Sequence, residues 1–206
     1  YTEEAYAFRN QLWFVDNTFV GAIVTVKNET ELTDALDDPL IVHISFDNDI
    51  AIEADRLLLR TNLTIDGNNH SIIQTHVDGW GSDYAFQAYV VTGVTIKNLT
   101  FDGGDAAILV NGSEVEVNNV NIVNMEFGGI EVSQGKDVVA VPKLTVDGLT
   151  HASTNLPAIW IAGKQTNDGW VVQTEYTEEA YAFRNQLWFV DNTFVGAIAT
   201  VKNEAE

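Results

Sequence analysis

The residues of this sequence best suited to chemistry are its carboxylates and the few cations among them: Asp plus Glu number 30, Lys plus Arg only 10. A calcium-dependent polysaccharide lyase needs clustered carboxylates for the metal and a nearby Arg or Lys to abstract a proton. Lys97 lies close to Asp66 and Asp102 in projected position, whereas the four arginines, Arg9, Arg56, Arg60 and Arg184, fall outside the central part of the chain. A glycosidase needs two carboxylates facing each other across a groove, and Asp102 and Asp105 of Phe101-Asp-Gly-Gly-Asp105 are the nearest pair. The same stretch reads as a tight turn, which is the expectation here, because Gly and Asp both suit turn backbone. Asp47, Asp49, Asp102 and Asp105 are the candidates for a bound calcium ion, though none lies in an EF-hand pattern. His43, His70, His76 and His151 lack metal-ligand spacing, and no nucleophile elbow, phosphate-binding loop or dinucleotide fingerprint occurs. The expectation is therefore no catalytic residue and no resident cofactor.

A second set of side chains could bind rather than react. Trp80 and Tyr84 lie in the Gly-flanked stretch His76-Val-Asp-Gly-Trp-Gly-Ser-Asp-Tyr84, with Phe86 and Tyr89 just beyond. Aromatic rings beside carboxylates and amides suit sugar recognition, and the stretch is expected to protrude as a loop, with Trp80 and Tyr84 as possible glycan contacts. Asn28, Asn62, Asn98 and Asn111 each open an Asn-x-Ser/Thr sequon and are possible N-glycosylation positions.

Charge narrows the partners. The formal net charge is −20, which repels nucleic acid and anionic lipid. With 46% hydrophobic residues and no Cys, the chain must close one continuous core without disulfides. No apolar run reaches the roughly 18 residues of a membrane helix. Tyr1-Thr-Glu-Glu4 is not a signal peptide, so any secretion signal or anchor is expected outside this sequence.

The elements that must carry these residues show themselves as repeats at two scales. Residues 176–206 repeat residues 1–31 at an offset of 175, differing only where Val24 becomes Ala199 and Thr30 becomes Ala205. This is the mark of a tandem array. It divides the chain into residues 1–25, the end of a preceding repeat, 26–200, one full unit, and 201–206, the start of the next. Trp13, Phe14 and Phe19, with their counterparts Trp188, Phe189 and Phe194, are possible junction residues.

Within the unit, Leu63-Thr-Ile-Asp-Gly, Val94-Thr-Ile-Lys-Asn, Val115-Glu-Val-Asn-Asn and Leu144-Thr-Val-Asp-Gly share one alternating pattern that ends in a turn. Ala107-Ile-Leu-Val-Asn-Gly, Gly129-Ile-Glu-Val-Ser-Gln and Ala158-Ile-Trp-Ile-Ala-Gly form a second family. Val94 to Val115 spans 21 residues and Ile108 to Ile130 spans 22, while Val115 to Leu144 and Ile130 to Ile159 both span 29. One insertion, placed at residues 135–143, thus displaced both families together. Two strand families advancing in step predict coils of a parallel β-helix. The columns Asp66/Lys97/Asn118/Asp147 and Gly67/Asn98/Asn119/Gly148 then fall at its turns, as structural ladders.

Before the coils, Asn28-Glu-Thr-Glu-Leu-Thr-Asp-Ala-Leu-Asp38 predicts a short amphipathic helix with a Thr cap, stopped by Pro39. Leu32, Ala35 and Leu36 line its buried face, and the helix closes the end of the solenoid. Ile41–Phe46 and Leu57–Leu59 supply the first strands.

Read in order, these stretches resemble the opening of pectate-lyase-like β-helix domains of microbial surface proteins. The resemblance rests on Val26-Lys-Asn-Glu29, Ile41-Val-His-Ile-Ser-Phe-Asp-Asn-Asp-Ile50 and Asn62-Leu-Thr-Ile-Asp-Gly-Asn-Asn-His-Ser-Ile72. It implies an all-β, right-handed parallel β-helix and display at the cell surface, and it carries over no catalytic residue. The expected function is a structural or adhesive extracellular module that stacks end to end into a stiff stalk or fibre. Its partners would be neighbouring copies of itself and, on its exposed faces, a polysaccharide or host surface. The alternative is a polysaccharide-binding or polysaccharide-cleaving domain on the same scaffold.

Overall fold

The computed structural model describes residues 9–15, 18–53, 56–74, 81, 83–135, 137–152, 158–166, 169–171, 187–189 and 198–201. It is mostly β, with parallel sheets in a β-helix-like arrangement. The first sheet runs through β1 (Arg9–Val15), β2 (Thr18–Val26), β3 (Ile41–Phe46), β6 (Thr64–Asp66), β9 (Val94–Asp102), β11 (Glu114–Val123), β13 (Lys143–His151) and β17 (Ile198–Val201), in that order. The short strands β4 (Ile50–Ile52) and β7 (Ser71–Gln74) join its side. The second sheet runs β5 (Arg56–Leu58), β8 (Tyr84–Tyr89), β10 (Ala106–Asn111), β12 (Gly128–Gln134), β14 (Ile159–Thr166) and β15 (Gly169–Val171), with β16 (Leu187–Phe189) on β14.

The register follows the two sequence families. Val94 pairs with Val115 and Val115 with Leu144, while Ile108 pairs with Ile130 and Ile130 with Ile159. Parallel in-register pairing sets each inward side chain on its like one coil away. Val24, Ile44, Ile65, Ile96, Val117 and Val146 form one such column, and every member is essentially inaccessible to solvent. Phe86 and Phe101 meet edge to face across the core, centroids 5.8 Å apart at 89°, a favoured geometry for aromatic rings.

Strands β9, β11 and β13 each bend once without breaking. The bends lie at Asn98 (φ 51°), Asn119 (φ 53°) and Gly148 (φ 79°), left-handed backbone that Asn and Gly tolerate best. One coil earlier the bend is longer: Asp66 pairs with Lys97 and Ser71 with Thr100, so residues 67–70 oppose only Asn98 and Leu99. The left-handed positions there are Asn68 and Asn69, not Gly67.

The helix α1 (Glu29–Asp37) buries Leu32, Ala35 and Leu36 as expected, but its cap differs. Asn28, not Thr30, caps it, its side chain accepting from the Glu31 N–H at 3.0 Å, while a Glu31 carboxylate oxygen accepts from the Lys27 N–H at 2.9 Å. Thr30 lies inside the helix instead. At the other end, Arg60 donates to the carbonyls of Asp38, Ile41 and Ala35. The Ala35 and Asp38 carbonyls belong to the helix end, which leaves its last acceptors open, and Ile41 opens β3, so Arg60 ties the two elements together.

This clamp predicts that Arg60→Ala lowers the unfolding free energy by about 2–3 kcal/mol, the scale of hydrogen bonds to a charged donor. Arg60→Lys should recover less than half of that, because an ammonium cannot span the same carbonyls. Denaturant melts of the three proteins check it.

Candidate functional site

The carboxylates singled out in the sequence each face a cation, an amide or a backbone N–H. Asp66 sits where three donors converge: Lys97 Nζ at 3.2 Å, Asn98 Nδ2 at 3.0 Å and the Asn68 N–H at 3.0 Å. Burial pushes its carboxyl up, but hydrogen bonds from Asn98, Asn68 and Lys97 outweigh that and hold it below the usual carboxylate range. Lys97 is thus paired in the ground state, whereas a lyase base must give up its proton and keep a lone pair free. Asp102, the third member of that trio, accepts from Asn124 Nδ2 at 2.7 Å. His43 lies near the same pair, and burial first, then the Lys97 charge, pull its imidazole down, leaving it neutral at pH 7.

The Asp102-Gly-Gly-Asp105 stretch is a turn between β9 and β10. Gly103 (φ 80°) and Gly104 (φ 91°) take left-handed backbone, and a Cβ on Gly103 would lie 2.5 Å from the Gln74 carbonyl oxygen. Asp105 is wholly buried and accepts from the Gly81 N–H at 2.7 Å and the Asp83 N–H at 3.0 Å. It fastens the Gly81 and Asp83 backbone, just ahead of β8, onto the coil. Asp47 faces Lys27 at 3.7 Å, and Asp49 faces His70 Nδ1 at 3.5 Å and accepts from the Ser71 N–H at 2.8 Å. Among the described residues, no three His, Cys, Asp or Glu side chains are gathered so as to hold a metal ion.

The structure corrects one binding expectation. Tyr84 does not protrude; it opens β8 and is 3% exposed, packed with Ala106 and Trp160, and its hydroxyl donates to Glu131. Phe86 points into the core. Side chains on both faces of this strand are covered, so the polar alternation of a half-exposed strand is missing from its sequence. Tyr89, at its far end, is exposed. Trp80 lies outside the described residues, as does Phe194.

Sequence reasoning passed over Glu131. It lies between Leu109 and Trp160 in register, under Tyr84, and only 8% of it is exposed. Burial pushes its carboxyl up, opposed in part by hydrogen bonds from Tyr84 and Ser133. The signal was present: coil alignment puts this Glu between two large apolar residues, Leu109 and Trp160.

Of the sequon residues, Asn28 caps the helix, Asn62 has φ 59°, and Asn111 accepts from the Gly135 N–H at 2.9 Å. Asn98 donates to Asp66 and accepts from Asn119 Nδ2 at 2.9 Å. Asn98 and Asn119 stack as one turn column anticipates, and Asp66 joins them from the other column. Asn98 and Asn119 line a shallow groove with Thr100, Asn121 and Thr150.

The junction residues occupy two different settings. Trp13 and Phe14 lie on β1, which runs antiparallel to β2, with Trp13 opposite Gly21 and Phe14 opposite Phe19. Their counterparts Trp188 and Phe189 lie on β16, parallel to β14, opposite Trp160 and Ile161. Likewise β2 pairs with β3, and its counterpart β17 pairs with β13. Among the described residues no helix is long and apolar enough to cross a membrane.

In comparisons with known proteins, the family of pectate lyase-like adhesive domains matches residues 23–158. No curated protein and no solved structure matches the chain.

Glu131 gives a pH prediction. A carboxyl whose folded pKa is raised favours the folded state while protonated. Its contribution is lost as pH rises from the ordinary glutamate value toward the raised one. Glu131→Gln keeps an acceptor for Tyr84 and should raise the melting temperature at pH 7–8. The gap over the parent should shrink toward pH 4. Melts across that range check it; a gap independent of pH would mean Glu131 ionises at no cost.

Proposed function

The chain belongs to the family of pectate lyase-like adhesive domains, and from that premise we propose that it is a structural and adhesive module displayed outside the cell. It is repeated along a longer chain as a right-handed parallel β-helix, and its units join through the duplicated segment. Residues 26–200 form one unit, 1–25 close the unit before it and 201–206 open the next.

The observation that carries this reading is where the two copies of the segment lie. Ile23–Val26 in β2 and Ile198–Val201 in β17 are the same repeat positions; β17 ends one sheet, and β2 stands at its other side with only β1 beyond it. The register of β2 on β3 is therefore the register in which a following unit's β3 would pair with β17. Continuity runs through the first sheet, because α1 packs beside β5 at the end of the second. The right hand follows from the rule for parallel crossovers, obeyed in about 98% of cases.

A non-enzymatic role is supported by the state of the polar groups. Lys97 is neutralised by Asp66, and Asp102 and Asp105 are spent on turns. The exposed faces carry Asn, Thr and carboxylates, which suit a polysaccharide or cell-surface partner, while neighbouring copies are the partners at the ends. The net charge of −20 disfavours nucleic acid.

The unit length is the test. From β2 to β17 the first sheet advances six strand spacings, so each added 175-residue unit should lengthen a rod by about 29 Å at roughly 4.8 Å per strand. Small-angle scattering or electron microscopy of chains with two, four and six units reads this directly. A flexible string of separate globules would overturn the reading.

A further inference from the structure

One sequence, in the same molecule, is held in two ways. In copy 1, Leu12–Phe14 and Ile23–Val26 belong to strands paired with each other, β1 on β2. In copy 2, the counterparts Leu187–Phe189 and Ile198–Val201 are split between two sheets, β16 on β14 and β17 on β13. Strand β2 has two edges, one on β3 and one on β1. If β1 leaves, β2 keeps β3 and offers a parallel-ready edge to a new strand.

We infer that the paired edges of β13 and β14 form a docking surface for the duplicated segment of a second copy of this chain, so that molecules join end to end by exchanging it. The incoming copy 1 takes the place of the resident copy 2. Its β2 lies on β13 while still paired with its own β3, and its Leu12–Phe14 moves from β2 to β14. The surface cannot distinguish the two segments by sequence, since only Val24/Ala199 and Thr30/Ala205 differ. The first difference favours the newcomer: position 199 pairs with buried Leu144, and copy 1 brings Val there in place of Ala. What favours the resident segment is its tether, which raises its effective concentration. Exchange therefore grows with protein concentration. Until then β1 covers the edge of β2, the usual protection of a strand that would otherwise recruit other chains.

This inference rests on the proposed reading of the duplicated segment, and introduced cysteine pairs separate the two, in a chain that has no Cys of its own. Thr145 pairs with Thr200, whose counterpart in copy 1 is Thr25. In the full chain Thr145→Cys with Thr200→Cys should close an intramolecular disulfide. Thr25 and Thr145 lie on β2 and β13, five strands apart, about 24 Å and far beyond the reach of a disulfide. Thr25→Cys with Thr145→Cys should therefore yield disulfide-linked dimers and longer multimers, more of them at higher concentration. The out-of-register pair Lys27→Cys with Thr145→Cys should yield few. If the 145/200 pair closes and the 25/145 pair stays monomeric or matches the out-of-register control, exchange is wrong and the reading of the segment stands. If the 145/200 pair fails to close, both fall.

Discussion

In a parallel coil, each side chain lies over its equivalent one turn away, so a single choice of residue is tested twice, against the coil below and the coil above. That stacking constraint governs most of what is seen here. The core column from Val24 to Val146 holds only Val and Ile, because a polar member would lie between two apolar neighbours with nothing to bond. At the bends, the same constraint selects a different chemistry. Left-handed backbone restricts Asn98, Asn119 and Gly148 to residues that bear it, and the stacked amides then bond along the axis. The extra residues between β12 and β13 are tolerated because the chain returns in register after them, Lys143 opposite Glu114 at 2.6 Å.

What stacking cannot provide is an end. A coil without a neighbour exposes a ladder of N–H and C=O groups, and the molecule meets this with distinct devices. Helix α1 packs beside β3, β4 and β5, its C-terminal carbonyls taken by Arg60. Strand β1 folds back antiparallel on β2. On its other side Gly21 lies tight against β3, for a Cβ there would lie 2.4 Å from Val42 Cγ2. The antiparallel strand is the one departure from parallel pairing in the first sheet among the described residues.

Much of this was legible in the sequence because stacking writes itself into spacing. The steps of 21, 22 and 29 residues between equivalent positions are the strand registers, and the shared step of 29 located the insertion. The cap and the second sheet were harder. Thr30 and Asn28 both suit a helix start, and only the position of the first turn decides for Asn28. Tyr84–Tyr89 has apolar residues at both parities, which a rule based on one wet face reads as irregular, yet it is a strand whose outer side is covered where Trp160 packs on Tyr84. Glu131 was hidden for the same reason: its burial depends on what lies across it, not on its own neighbours in sequence. The antiparallel setting of β1 is not in the segment at all, since the identical residues in copy 2 pair otherwise.

That last point bears on how units of this kind avoid sticking to each other in the wrong way. At −20 for 206 residues, two such surfaces repel at long range, and at physiological ionic strength the repulsion fades only beyond about 8 Å. Lateral contacts between Asn, Thr and carboxylate faces offer little to overcome it. Main-chain pairing does, because it acts at contact and repeats along the strand, and it is available only at the ends. Charge thus suppresses side-by-side aggregation while backbone complementarity permits growth along the axis. The device needs a segment matched in register whose pairing residues are uncharged. Leu-Trp-Phe at 12–14 and Ile-Val-Thr-Val at 23–26 carry no charged side chain, so they add nothing to the repulsion where they pair.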